Sequence, residues 1–178
     1  MKKGFTLVEM LVVIAILGIL MAMMVPAAGM ILKRAKVSQA KTDARVVATV
    51  LMKYYAEYNR WPSIATNSAS QHLTDKDWVT VMSPAPFHDG DSSGGDNFKR
   101  IIFFEPSAGA LATEGLDAGA FVDPWGKPYE YLVDQDHNGL ITSPENSKEI
   151  RADVLVWSAG PDLKYEFLNE HDNLMSWE

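Results

Sequence analysis

Residues 1–20 read MKKGFTLVEMLVVIAILGIL, and the reading of Glu9 within them decides the fold. From Met10 to Leu32 no position carries a charge. A helix rises about 1.5 Å per residue and needs about 20 residues to cross a ~30 Å hydrocarbon core, so this run is long enough to span a bilayer. It is also longer than the apolar core of a secretory signal peptide, and it passes without a break into a second helical pattern. An acid near the centre of a membrane helix costs roughly 2.5–3.5 kcal/mol on insertion scales, so Glu9 needs either the interface or a partner.

The letters around Glu9 supply the partner. Gly4-Phe5-Thr6-Leu7-Val8-Glu9, preceded by Met1-Lys2-Lys3 and followed by the apolar run, resembles the cleavage and methylation signature of type IV pilins and their relatives. The resemblance implies that a prepilin peptidase cuts after Gly4 and that Phe5, the new amino terminus, is methylated. Gly4 lacks a side chain and lets a protease approach the backbone. The cut places an ammonium one helical turn before Glu9, where opposite charges face each other and the helix dipole favours an acid. By the same resemblance, Glu9 pairs with the amine of a neighbouring subunit and sets register as helices bundle into a homopolymer with other pilin-like subunits on an inner-membrane assembly platform.

Charge does not by itself orient the segment, because Lys33, Arg34, Lys36 and Lys41 outnumber Lys2 and Lys3. The resemblance implies a single-pass inner-membrane protein with a cytoplasmic N-terminus and a periplasmic C-terminal domain. Pro26 removes an amide donor within the run and is expected to kink or loosen that turn. Gly18 and Ala22 stand four apart, a spacing that lets apolar helices approach closely.

After Leu32 the pattern turns amphipathic. Val37, Ala40, Ala44, Val47, Leu51, Tyr54 and Tyr58 recur at spacings of three and four, while Lys36, Lys41, Asp43, Arg45 and Lys53 lie off that stripe. Trp61-Pro62 stops the helix, since the residue before proline is pushed out of the α region. The expected organisation is therefore a leader over 1–4, a membrane and polymerisation half-helix over 5–32, an amphipathic half-helix over 33–60, and an exported globular domain over 61–178.

The globular part reads as short strands between turn formers: residues 78–82 (a strand or a short helix), 101–104, 129–133 and 154–157, with a loop by composition over 83–97. The expected fold class is α+β, a long helix on a small antiparallel sheet, the pilin-like fold that the resemblance implies. With Lys2, Lys3 and Glu9 set aside, 14 of the 16 bases and 22 of the 23 acids remain, a net charge of −8. That balance argues against nucleic acid as a partner. Gly90-Asp91-Ser92-Ser93-Gly94-Gly95 has one residue too many for the GDSGG nucleophile site of trypsin-like proteases, and the four histidines show no metalloenzyme spacing. The chain is not expected to be an enzyme.

Cysteine is absent, so disulfides cannot staple this domain and a metal is a natural substitute. Asp134-Gln135-Asp136-His137-Asn138-Gly139-Leu140, ending at Glu145, fits the calcium-loop pattern: acids or amides at positions 1, 3 and 5, glycine at 6, glutamate at 12. Asp134, Asp136 and Asn138 would give side-chain oxygens, Leu140 its carbonyl and Glu145 up to two more. The alternative is a polar hairpin in which Asp and Asn cap turns.

Two further segments resemble the major pseudopilin of type II secretion systems. One is Asp123-Pro124-Trp125-Gly126-Lys127-Pro128-Tyr129-Glu130-Tyr131; the other comprises Ser158-Ala159-Gly160-Pro161-Asp162 and His171-Asp172-Asn173-Leu174-Met175-Ser176-Trp177. The latter implies a second calcium site at Asp162, Asp172 and Asn173. The expected function is a structural subunit of a type II secretion pseudopilus or related filament, its domain stabilised by calcium. An adhesive or motile pilus subunit and a membrane-tethered binding module are the alternatives.

Overall fold

The computed structural model describes residues 6–66, 71–83, 96–107, 109–144, 147–165 and 174–176, with backbone alone at 23–28 and 174. Two compact units divide the chain, Met1–Lys36 and Val37–Glu178. One helix, α1, runs over Leu7–Tyr58. Its backbone stays helical through Pro26, so losing one amide donor does not end it. In the first unit its large apolar side chains are exposed on every side, from Leu7 to Met21. A helix apolar all round belongs in a larger core or in lipid. Among the described residues no helix is long and apolar enough to cross a membrane; the side chains of 23–28, which fall inside the uncharged run, are not among them.

In the second unit the amphipathic stripe becomes core. Ala40, Ala44, Val47, Leu51 and Tyr54 are fully buried, whereas Arg45 and Lys53 are exposed. Burying each large side chain contributes about 1.5–3 kcal/mol. The helix ends at Tyr58, three residues before Trp61: Asn59 takes φ +52° and its amide bonds the Tyr55 carbonyl at 2.7 Å. A left-handed residue at this position is a common helix terminator, and asparagine tolerates it better than most residues.

Residues 78–82 form a helix, α2 (Lys76–Met82). Five consecutive buried side chains hide any period there, and the cap decides the outcome: Asp75 accepts a bond from the Trp78 amide at 2.9 Å. Residues 101–104, expected as a strand, pair with no strand among the described residues. The amides of Phe103 and Phe104 both donate to the Met82 carbonyl, at 2.9 and 3.1 Å. Their donors close the open end of α2 instead of a ladder.

The main sheet is antiparallel, in the order β1 (His72–Leu73), β2 (Glu130–Val133), β5 (Val154–Ser158), β6 (Leu174–Met175); β3 (Ile141–Thr142) and β4 (Glu149–Ile150) form a separate pair. Register sets Tyr131 opposite Val156 and Glu130 opposite Trp157. Because side chains alternate along a strand, Tyr131, Val133, Val154 and Val156 join Leu51 and Tyr54 in one core. Leu155, Trp157 and Met175 form a second cluster, with Leu132 packed against it. Both sheet faces are thus covered.

Candidate functional sites

Glu9 lies in the first turn of α1. Its Oε2 accepts from the Thr6 amide at 2.8 Å and the Thr6 hydroxyl at 2.7 Å, and the Thr6 hydroxyl in turn accepts from the Glu9 amide at 3.2 Å. This is a reciprocal capping box. Thr6-Leu7-Val8-Glu9 before an apolar run is the sequence signal for it, so Thr6 joins Glu9 as a residue that matters to the helix start. Gly4 and Phe5 lie outside the described residues.

The loop after β2 is turned back on its first acid. Asp134 Oδ1 accepts from the Asn138 amide at 3.3 Å and Oδ2 from the Gly139 amide at 2.7 Å. Asn138 donates through Nδ2 to Asp136 at 2.8 Å and accepts through Oδ1 from the Leu140 amide at 2.7 Å. His137 and Gly139 both have positive φ, +57° and +74°; the glycine makes the second of these inexpensive. Burial raises the Asp134 pKa, but the backbone amides of Gly139, Asn138 and His137, together with the hydrogen-bonding interaction with the Asp136 side chain, outweigh it and hold the carboxyl below its usual range. Asp134, Asp136, Asn138 and Leu140 thus share one loop and offer only oxygen, the chemistry of a hard cation. Glu145 lies outside the described residues, among which no three acidic, histidine or cysteine side chains converge on a metal position. At the second candidate, Asp162 accepts from the Lys164 amide at 2.9 Å; Asp172 and Asn173 lie outside the described residues.

The two C-terminal motifs meet through Asp123. Its carboxylate accepts from the amides of Trp125 and Lys127 at 3.0 and 2.9 Å and from the Ser158 hydroxyl at 2.6 Å. Ser158 Oγ accepts from the Gly160 amide at 3.0 Å. Burial pushes the Asp123 pKa up, and these donors oppose it. Gly126 sits at φ +93° in the turn. Tyr129 and Tyr131 are buried, while Trp125 is only half-buried. The DPWG turn is thus a corner tied to β5 through Ser158.

Residues 1–25 match the family model described as Prokaryotic N-terminal methylation motif. With the helix and sheet described above, that motif defines a chain of the pilin class. Over 132 residues the chain is 32% identical to the type II secretion system core protein G of Pseudomonas aeruginosa, covering 74% of each. It is 40% identical over 75 residues to a fimbrial protein of Neisseria meningitidis, covering 42% of this chain and 44% of that one. With the type IV major pilin protein PilA of Myxococcus xanthus it shares 36% identity over 64 residues, 36% of this chain and 29% of that one. The chain thus spans less than half the length of the pilins it matches. No solved structure matches it. The chain belongs to the family of type II secretion system core protein G, the pseudopilins.

Proposed function

We propose that the chain is a structural subunit, not an enzyme, of a type II secretion pseudopilus. In this reading it is cut after Gly4, methylated at Phe5 and held in the inner membrane with its domain outside until it polymerises through α1. The observation that carries the reading is the extent of the core protein G match. It covers 74% of both chains, whereas the pilin matches cover less than half of this one. A motility or adhesion pilus would share the helix without sharing the rest.

Glu9 is the assembly residue of this proposal, and Thr6 keeps its carboxylate at the helix end. Calcium belongs to the same proposal: Asp134, Asp136, Asn138, Leu140 and Glu145 would hold it, with Asp162, Asp172 and Asn173 as the second candidate. The oxygen donors and the lack of cysteine support it. Bound calcium would cross-link its loop and stabilise the folded form by mass action. Electron microscopy of cells overproducing the chain tests the filament. The unaltered chain should give filaments, and Glu9→Leu should insert into membrane yet give none. Normal filaments from that variant would remove Glu9 from assembly.

A further inference from the structure

Charge is segregated along the chain. Between 33 and 53 stand six bases, Lys33, Arg34, Lys36, Lys41, Arg45 and Lys53, against Asp43 alone, while 54–178 hold the other eight bases and 21 acids. The globular part also spends bases internally, in the pairs Arg60–Asp96 at 3.5 Å and Lys99–Glu57. Lys33, Arg34, Lys36 and Arg45 are exposed on α1. They follow directly on the uncharged run, so any side-by-side bundling of that run draws the bases of adjacent helices together. Such like charges repel unless acids of a neighbour lie among them.

The second unit carries a cleft suited to this. It has a volume of about 270 Å³ and is lined by Met52, Tyr55, Trp61, Asp134, His137 and Asp153. This is below the ~300–1,000 Å³ of typical small-molecule sites, and on the scale of one or two long side chains. Met52, 43% exposed, and the half-buried Tyr55 form an apolar wall. Asp153, which lines it, is exposed. The Tyr55 ring packs at a tilt against Trp61, with centroids 4.6 Å apart, and against His137 at 5.4 Å, so the wall is braced from both sides. An apolar wall beside the exposed acid Asp153 matches a lysine or arginine: the stem packs, the head meets the acid, and a guanidinium also favours an aromatic face.

We propose that this cleft is an interface between copies of the chain, receiving the basic stretch around Arg34 from a neighbouring subunit. The inference rests on the filament reading and adds to it a second contact, outside the apolar helices. It places the acid on the domain and the base on the helix, so each subunit offers both halves and the contact propagates head to tail.

The chain has no cysteine, which permits a direct test on the full-length protein. Two differently tagged copies, one with Arg34→Cys and one with Asp153→Cys, are coexpressed and oxidised after filaments are sheared from cells. A disulfide-linked dimer of the two tags is expected, and none when Leu116→Cys, at a fully exposed turn, replaces Asp153→Cys. In parallel, Asp153→Lys and Arg34→Glu should each lower filament yield about three- to ten-fold, and the two reversals in one chain should restore it. Filaments without the cross-link, or linked only to a different protein, overturn the proposal while leaving the filament reading intact. No filaments from the unaltered chain overturn both.

Discussion

The indole N–H of Trp61 donates to the backbone carbonyl of Asp134 at 2.6 Å, across 73 residues of sequence. It fastens the end of α1 to the first residue of the acidic loop, inside the second unit. Trp61 is itself buried and packed at a tilt against Tyr55, so the loop inherits the rigidity of the helix end.

Trp61→Phe keeps most of the ring contact and removes the donor, leaving a buried carbonyl with one partner fewer. The expected loss is about 1–3 kcal/mol of stability, read from urea melts of the detergent-solubilised chain. An unchanged midpoint would show that the bond does not hold the loop.

Glu130 sits opposite Trp157 on the face of the second cluster, and its Oε2 accepts from the Trp157 indole at 2.9 Å. Burial raises its pKa from 4.5 to about 7, and the indole bond only partly offsets this. The folded form therefore holds a proton that the unfolded form releases. Stability from this group is fully present below about pH 4.5 and is lost as pH rises through 7. Glu130→Gln keeps an acceptor for the indole and cannot ionise. It should melt like the unaltered chain near pH 4.5 and be more stable at pH 8, by at most about 3 kcal/mol. Parallel pH profiles for the two proteins would show that Glu130 does not titrate in this range.

For calcium, a chelator should lower the melting temperature of the full chain and added calcium should restore it. At a hundred-fold excess over Kd the gain is about 2.7 kcal/mol. Asp134→Asn with Asp136→Asn should abolish the response if the first loop is the site, and Asp162→Asn if the second is. Indifference of the melting temperature to both chelator and calcium ends the metal proposal.

The helical stripe was legible because each of its residues answers to neighbours one turn away, and Ala40, Ala44, Val47, Leu51 and Tyr54 are all fully buried. The strands at 130–133 and 154–158 were legible from β-branched and aromatic runs. Residues 101–104 look the same by composition. They failed as a strand because the Met82 carbonyl, 21 residues from Phe103 in the chain, claimed two of their amides. Thr6-Leu7-Val8-Glu9 also encodes the helix cap, which is legible because its residues are three positions apart.

By itself, the sequence determined what is local: the uncharged run, the cleavage motif with its glutamate, the amphipathic continuation and the oxygen-rich loop. Each depends on spacing within a few residues, where chain connectivity already fixes the geometry. Only the tertiary structure decided that Glu130 is buried beside Trp157, that Ser158 is tied to Asp123, and that Met52, Tyr55 and Asp153 share a cleft. The two hydrogen bonds join residues 27 and 35 positions apart. Pairing at that distance is set by strand register and by which faces the core can cover, and no local spacing encodes either.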